Sequence, residues 1–551
     1  MRARGGLTRL ARFWPWVAAI ATGFLYAACF PPLDQQWLCW ICLTPLIAAV
    51  WFSGRNARRP WLRHLLLGYV SGIVFITTTF SWLGSLGILF ESVWLRGLPL
   101  LLSLYMGLYL GFWSWFVGGI APKNFVSSGR NLLCAFFAAA AWVPTEWIRG
   151  WLLGGFGWNG LGVALHAQWP LIQIAEFTGV AGLSFVIAFA NVIAVTTPIR
   201  LYLEARTHRM RPHWDLNITM LAVMALLVWG WHVAHIPHPS KPFQVAAVQP
   251  GVPQKEKFKG QSPAEILERC RRLSTMALQM NPPPGLLIWP ESATPGPLFG
   301  DEQTHRFIMD FAASANTDLL LGTDEITEDR AYNTAVLLSD RGQNAQVYRK
   351  VHLVSFGEYV PLRHSFPLFA AVARRWVPGD FDAGNEYTVF QITNSDVRVA
   401  PLICFEDTVG ELARRFVLPA DDKPGANLLV NITNDGWFLH SVGAQQHLAN
   451  AVFRCVELRR PMVRAANTGV TCFVNEFGRV TQILQDDVGS TFNEGVLAGE
   501  VNIPTNAVLT FYARHGEWFT NLCMAITLLA LAWRLAWQKR GRGQPPNVYG
   551  D

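Results

Sequence analysis

Apolar residues take two textures along this chain. Before residue 240 and after residue 516 they gather into long runs; between them, short apolar runs alternate with amphipathic and turn-rich stretches. A helix needs about 20 mostly apolar residues to cross a bilayer, because its backbone must satisfy its own hydrogen bonds in hydrocarbon. Eight runs fit this requirement, at 13–30, 36–53, 65–84, 98–121, 131–148, 179–199, 216–236 and 518–537. They predict a multi-pass membrane domain of eight transmembrane helices. Residues 242–502 instead show the short Val-, Ile- and Leu-rich runs of a buried sheet with helices against it. Strands are expected at 243–248, 286–289, 318–322, 334–339, 397–404 and 428–432, followed by pairs near 462–475 and 495–501. Ser262-Pro263-Ala264-Glu265 is a capping box with Pro at the first helical position, and Asn281-Pro282-Pro283-Pro284 stops the helix it opens. Three segments follow: a membrane domain at 1–236, an outer α/β domain with its linkers at 237–516, and a last span with a basic tail at 517–551.

Composition sharpens this reading. Of 551 residues 51% are hydrophobic and 15% charged, against about 25% charged in a soluble domain, which disfavours an ordinary cytosolic enzyme. Basic residues then orient the spans. Arg2, Arg4, Arg9 and Arg12, then Arg55, Arg58, Arg59 and Arg63, then Lys123 and Arg130, then Arg200, Arg206, Arg209 and Arg211, and finally Lys539, Arg540 and Arg542 all fall on one side; the other side holds Arg96 and Arg149. Both termini are therefore expected in the cytoplasm and the α/β domain outside it. The net charge of +7 is accounted for by these loops, so no nucleic-acid partner is called for. The first run is kept as an uncleaved helix, because Cys29-Phe30-Pro31-Pro32 is not a small-residue cleavage site.

Three strand ends could carry chemistry: Leu286-Leu287-Ile288-Trp289-Pro290-Glu291; Tyr348-Arg349-Lys350-Val351-His352-Leu353 with Phe356-Gly357-Glu358 close behind; and Leu402-Ile403-Cys404-Phe405-Glu406. Singly, each has an ordinary reading: Glu291 as a helix cap, Lys350 as a solvated cation, Cys404 as a core filler. Jointly they differ, because reactive residues in parallel α/β sheets gather at the carboxyl edge of the strands. A Glu, a Lys and a Cys delivered to one edge suffice for thiol-based acyl transfer: the carboxylate takes the thiol proton, the thiolate attacks a carbonyl, and the ammonium steadies the oxyanion. His232 and His235 sit at helical spacing with no third ligand nearby, so no metal or other cofactor is expected.

Trp-Pro-Glu, Tyr-x-Lys-x-His-Leu-x-x-Phe-Gly-Glu and Ile-Cys-Phe-Glu, in this order and beside eight spans, resemble the apolipoprotein N-acyltransferases, the membrane-bound branch of the nitrilase superfamily. Thr145-Glu146-Trp147-Ile148-Arg149-Gly150, Asn434-Asp435-Gly436-Trp437-Phe438 and Tyr512-Ala513-Arg514 extend the likeness over essentially the whole chain. The resemblance implies an α-β-β-α sandwich for the outer domain, with Glu291 as general base, Lys350 at the oxyanion, Cys404 as nucleophile, and Glu358 and Glu406 as supporting acids. Phe405 stands where relatives often carry Tyr, and Phe258 falls near a functional Trp of the family. The implied reaction is ping-pong: Cys404 takes an acyl chain from a membrane phospholipid, typically phosphatidylethanolamine, and passes it to the α-amine of an S-diacylglyceryl cysteine on an apolipoprotein. The setting implied is the bacterial inner membrane with the catalytic domain in the periplasm. Such lipid-anchored substrates require a site open to the bilayer. Residues 365–378, with Phe369, Trp376, Arg374 and Arg375, read either as a lid dipping into the headgroups or as an ordinary packed helix; Trp437 and the aromatic loop 149–178, with Trp158, are further candidates for lipid access. The rival readings are a membrane-tethered amidase using the same triad and a non-enzymatic transporter or scaffold.

Overall fold

The computed structural model describes residues 2–53, 58–254, 263–361, 363, 379–420, 423–506 and 508–542, with side chains described from residue 13 to residue 536. Among the described residues seven helices are long and apolar enough to cross a membrane: Gln36–Ser53, Pro60–Thr79, Leu98–Gly119, Ser128–Arg149, Val180–Thr207, Trp214–Val233 and Trp518–Ala536. The first expected span is the apolar part Phe13–Ala27 of a longer helix and is shorter than these. It stops before residue 30 because the chain turns over Pro31-Pro32. The helices Pro60–Thr79 and Leu98–Gly119 meet glycine on glycine. A methyl group on Gly72 would lie 2.7 Å from Gly107 Cα, so the close crossing depends on the missing side chain.

Among the described residues the outer domain holds two six-stranded sheets. Its strands are β1 (Ser240–Gln249), β2 (Leu286–Ile288), β3 (Asp318–Ile326), β4 (Ala331–Ser339), β5 (Asn344–Arg349), β6 (Phe390–Gln391), β7 (Arg398–Ile403), β8 (Leu428–Thr433), β9 (Met462–Ala466), β10 (Cys472–Val474), β11 (Val480–Ile483) and β12 (Gly495–Pro504). The orders are β12-β1-β2-β3-β4-β5 and β11-β10-β9-β8-β7-β6. Pairing is parallel only in the centres, β1-β2-β3 and β7-β8-β9, and antiparallel elsewhere. Both sheets are therefore mixed.

The period-2 alternation of a strand assigns the layers. Val245, Ala247, Leu286, Ile288 and Leu320 share a core with Val399, Ile403, Leu428 and Val430 of the other sheet, while Ala246, Val248, Leu287, Trp289, Leu319 and Leu321 pack on the helices Pro263–Leu278 and Glu302–Ala315. The second sheet is covered by Gly410–Val417 and Gly443–Leu458, which completes four layers, α-β-β-α.

Along the helix Gly443–Leu458 only Gln445 is exposed, because the helix lies between its sheet and the membrane helices. Gln446 donates to the carbonyls of Pro31 (2.8 Å) and Thr79 (3.0 Å) and accepts from the Trp82 indole (3.0 Å). Asn450 and Asn159 exchange two hydrogen bonds, at 3.0 and 3.1 Å. Polar side chains on one helix thus satisfy carbonyls left open where the membrane helices end, and they fix the α/β domain against the membrane domain.

Candidate active site

The site forms where strands of both sheets end. Glu291 follows β2, Lys350 follows β5, and Cys404 opens the helical turn Cys404–Thr408 after β7. Cys404 has a φ of +52°, a left-handed conformation that costs a side-chain-bearing residue roughly 1–2 kcal/mol. Such strain is tolerated where the surroundings over-determine it. Here the Asn431 amide donates to the Cys404 carbonyl at 2.9 Å. Glu406, fully buried, accepts from Ile403 N (2.9 Å), Val351 N (2.8 Å), His352 N (3.0 Å) and the Tyr348 hydroxyl (2.8 Å). One carboxylate therefore staples the turn bearing Cys404 to the segment bearing Lys350. Burial pushes Glu406 up to about 7, against the opposing pull of Lys350 and its donors.

Lys350 is 1% exposed. Its ammonium donates to Glu358 Oε1 at 2.8 Å and lies 3.8 Å from Glu291 Oε1. Burial alone would lower its pKa; Glu358 and then Glu291 more than offset this and hold it above the ordinary lysine value. Glu291 is raised by burial, with Lys350 opposing. Its two oxygens accept from the Asn333 amide (2.8 Å) and from Asn434 N (2.9 Å). Burial, then the nearby Glu291 carboxylate, pushes the Cys404 thiol well up, with Lys350 pulling the other way. The thiol is thus neutral at rest, beside a carboxylate able to take its proton and a fixed cation.

Asn333 was not among the residues singled out from the sequence. Its amide donates both to Glu291 and, at 3.0 Å, to Glu358, so it sets the separation of the two carboxylates. The available signal was an amide inside the apolar run 331–339, since a buried polar group in a strand needs a partner.

Aromatic rings delivered by the membrane domain close the site from below. Phe405, next to Cys404, stacks between His352 (centroids 5.8 Å apart) and the rings of Trp158 (6.0 Å) and Phe156 (6.1 Å). Trp158 is itself buried, against Trp82, Phe438 and His447; it supports the site from beneath rather than facing open lipid. Trp437 is half-buried and stacks on Phe90, 6.3 Å away. Phe258, Phe369 and Trp376, and with them the proposed lid, lie outside the described residues.

Comparison with known proteins bears on both halves of the chain. Residues 22–193 match the apolipoprotein N-acyltransferase N-terminal domain, and residues 244–505 match carbon-nitrogen hydrolase. An apolipoprotein N-acyltransferase of Geobacter metallireducens is 33% identical over 94% of this chain and 95% of its own length. Proteins of the same name from Chlorobaculum tepidum and Thermotoga maritima are each 29% identical, over 96% and 93% of this chain and 98% and 92% of their own lengths. A membrane half, a carbon-nitrogen hydrolase half and a full-length relative agree, and the chain belongs to the apolipoprotein N-acyltransferase family.

Proposed function

We propose that this protein is an acyltransferase of the bacterial inner membrane, that it carries a fatty acyl chain on Cys404, and that it delivers the chain to the N-terminal amine of apolipoproteins. In the first half-reaction Glu291 takes the Cys404 proton as the sulfur attacks an ester carbonyl of a phospholipid, phosphatidylethanolamine being the proposed donor. The negative charge on that oxygen develops beside Lys350. The C–O bond breaks, and the leaving lysophospholipid takes the proton from Glu291. In the second half the free α-amine of an S-diacylglyceryl cysteine attacks the thioester and gives its proton to Glu291, which passes it to the departing sulfur and restores the thiol. An amide is more stable than a thioester, so this half runs downhill. Burial raises the pKa of Glu291 and so makes it a stronger base than an exposed carboxylate. The charge asymmetry of the loops supports a periplasmic site with both termini in the cytoplasm.

One observation favours this reading over the amidase: Phe156 and Trp158, two of the rings packed on Phe405 beside the nucleophile, come from the membrane domain. A hydrolase of small soluble amides has no use for a site seated on bilayer-derived aromatics, and a thioester needs a surface that excludes water. The test is mass spectrometry of the purified protein after exposure to phospholipid vesicles. The expected result is a fatty-acyl adduct on Cys404 that disappears when a diacylglyceryl lipopeptide with a free amine is added. Consumption of a soluble amide without phospholipid, with no adduct, would favour the amidase instead.

The approach of β3 to Glu291 offers a second check. A methyl group on Gly322 would meet Glu291 Cα at 2.6 Å and Pro290 O at 2.7 Å, backbone atoms that move only by carrying the carboxylate with them. Gly322→Ala is expected to lower turnover by about 100-fold through misplacement of Glu291. The thermal midpoint should show a loss of about 1–3 kcal/mol.

A further inference from the structure

A second cluster of charged side chains lies under the nucleophile's turn, and the chemistry above does not use it. Asp407 stands three residues after Cys404 in the same turn; Asp435 lies in the turn after β8; Arg464 is on β9; His447 is on the helix that docks the two domains. All four are buried, none more than 1% exposed. His447 Nε2 is 2.8 Å from Asp407 Oδ1 and Nδ1 is 3.0 Å from Asp435 Oδ1. Arg464 Nη1 donates to Asp435 Oδ2 at 2.9 Å and Nη2 to Oδ1 at 3.1 Å, while Arg464 Nε stands 3.7 Å from Asp407 Oδ2. Arg464 Nη2 also lies 2.7 Å from His447 Nδ1. Trp158 stacks on the imidazole at 5.0 Å and Phe438 meets it edge-on at 6.3 Å. No other ionisable group is in ion-pair contact with this ring among the described residues.

Charge decides the state of the ring. Two carboxylates against one guanidinium leave a negative charge stranded out of water, which is costly unless paired. A neutral imidazole has one N–H, yet both its nitrogens face carboxylates, which only accept. A neutral ring would take the Arg464 contact at Nδ1 but leave that charge unbalanced; only the doubly protonated ring balances the cluster. The direction of its titration agrees: burial lowers the His447 pKa, but Asp407 beside it more than offsets this and leaves it raised.

We propose that His447, as an imidazolium, is a positioning residue for acyl transfer: it locks the Cys404 turn to the membrane-derived aromatic shelf and screens the thiol from the buried carboxylates beneath it. Asp407 ties it to the nucleophile's turn. Its ring face holds Trp158, which also stacks on Phe405, so nucleophile, aromatic shelf and docking helix meet around one side chain. The Thr433 hydroxyl donates to Asp435 Oδ1 at 3.5 Å, and Asp435 acts on the Cys404 thiol alongside Glu291 and Lys350. Losing the imidazolium would therefore leave the Asp435 charge that already acts on Cys404 less compensated. The transfer role rests on the proposed function; the charge role does not.

The test is the pH dependence of Cys404 alkylation by iodoacetamide, followed by mass spectrometry on the full-length protein in nanodiscs, which needs no acyl-transfer activity. His447→Gln is expected to move the alkylation midpoint up by about one pH unit, the scale of one unit charge acting within a protein. At a fixed pH below the midpoint, acyl-adduct formation should fall about tenfold, following the thiolate fraction. His447→Lys, which keeps the positive charge, is expected to bring the midpoint back towards wild type. A purely structural role would lower stability in both variants and leave the two midpoints alike, which would overturn the proposal. Should the variants not fold, selective 15N-histidine NMR of the wild type reads the ring directly. Two protonated nitrogens on His447 at pH 8 support the assignment; one bare nitrogen overturns it. A shifted alkylation midpoint without any lipid adduct would refute the transfer reading and leave the charge role standing.

Discussion

Cys404→Ala is expected to abolish acyl-adduct formation and lower lipoprotein N-acylation by at least about 10⁴-fold, the scale seen when the nucleophile of a covalent mechanism is removed. Stability should barely change. The residue is held by its backbone: the Asn431 amide on its carbonyl and the four donors on Glu406 stay in place when sulfur is lost. Cys404→Gly sharpens the prediction. The φ of +52° strains a residue that has a Cβ and costs glycine little, so the glycine variant is expected to be equally inactive yet to melt no lower than the alanine variant. The pair is measured by adduct mass and thermal midpoint in the same detergent. Residual acylation by either variant above the level of heat-killed protein would remove Cys404 from the nucleophile's place. A glycine variant that melts several degrees lower would show that the turn is not strained.

Much of the site could be read from the sequence because of how it is built. Glu291 and Cys404 each end a short apolar strand in the parallel centre of a sheet, and such a strand buried on both faces writes itself as a continuous apolar run. Lys350 is a different case. Its strand β5 is an edge strand with Asn344, Gln346 and Arg349 among its residues; it has no apolar run to mark it, so the place of Lys350 at a strand end was legible only through the motif around it. The same holds for β6 and β11, the edge strands of the second sheet. Asn333, His447 and Arg464 were not legible as site residues. Each is a polar residue in an apolar stretch whose partner lies tens or hundreds of positions away, as with Asn333 and Glu291, 42 residues apart. Hydrophobic periodicity reports which face a residue occupies and says nothing of which charge it will meet there. The docking of the two domains was invisible for the same reason: Gln446 and Asn450 look like two ordinary helix positions until Pro31, Thr79 and Asn159 are brought against them.

Lys350→Met should cost both activity and stability, and the two losses should respond differently to pH. Without the ammonium the oxyanion loses its cation, and turnover is expected to fall by at least about 10³-fold. Methionine fills a similar volume, so the stability loss is electrostatic. Glu291 and Glu358, whose oxygens share the Asn333 amide, would face each other buried and without a counter-ion. Removing one partner of a buried pair typically costs about 3–5 kcal/mol. The sign of the pH dependence follows from Glu291. Burial already raises its pKa and Lys350 opposes that rise; taking Lys350 away raises it further. A carboxyl group with a raised pKa in the folded state favours folding at low pH, and that contribution is lost as pH rises through the raised value. The gap in thermal midpoint between Lys350→Met and wild type is therefore expected to be widest near pH 8 and to narrow towards pH 5, where Glu291 in the variant takes up a proton. Turnover should recover at neither end, because a shared proton relieves repulsion between carboxylates but puts no cation beside the developing oxyanion. A gap in midpoint that stays constant from pH 5 to 8 would mean that the ammonium is not what holds Glu291 and Glu358 together.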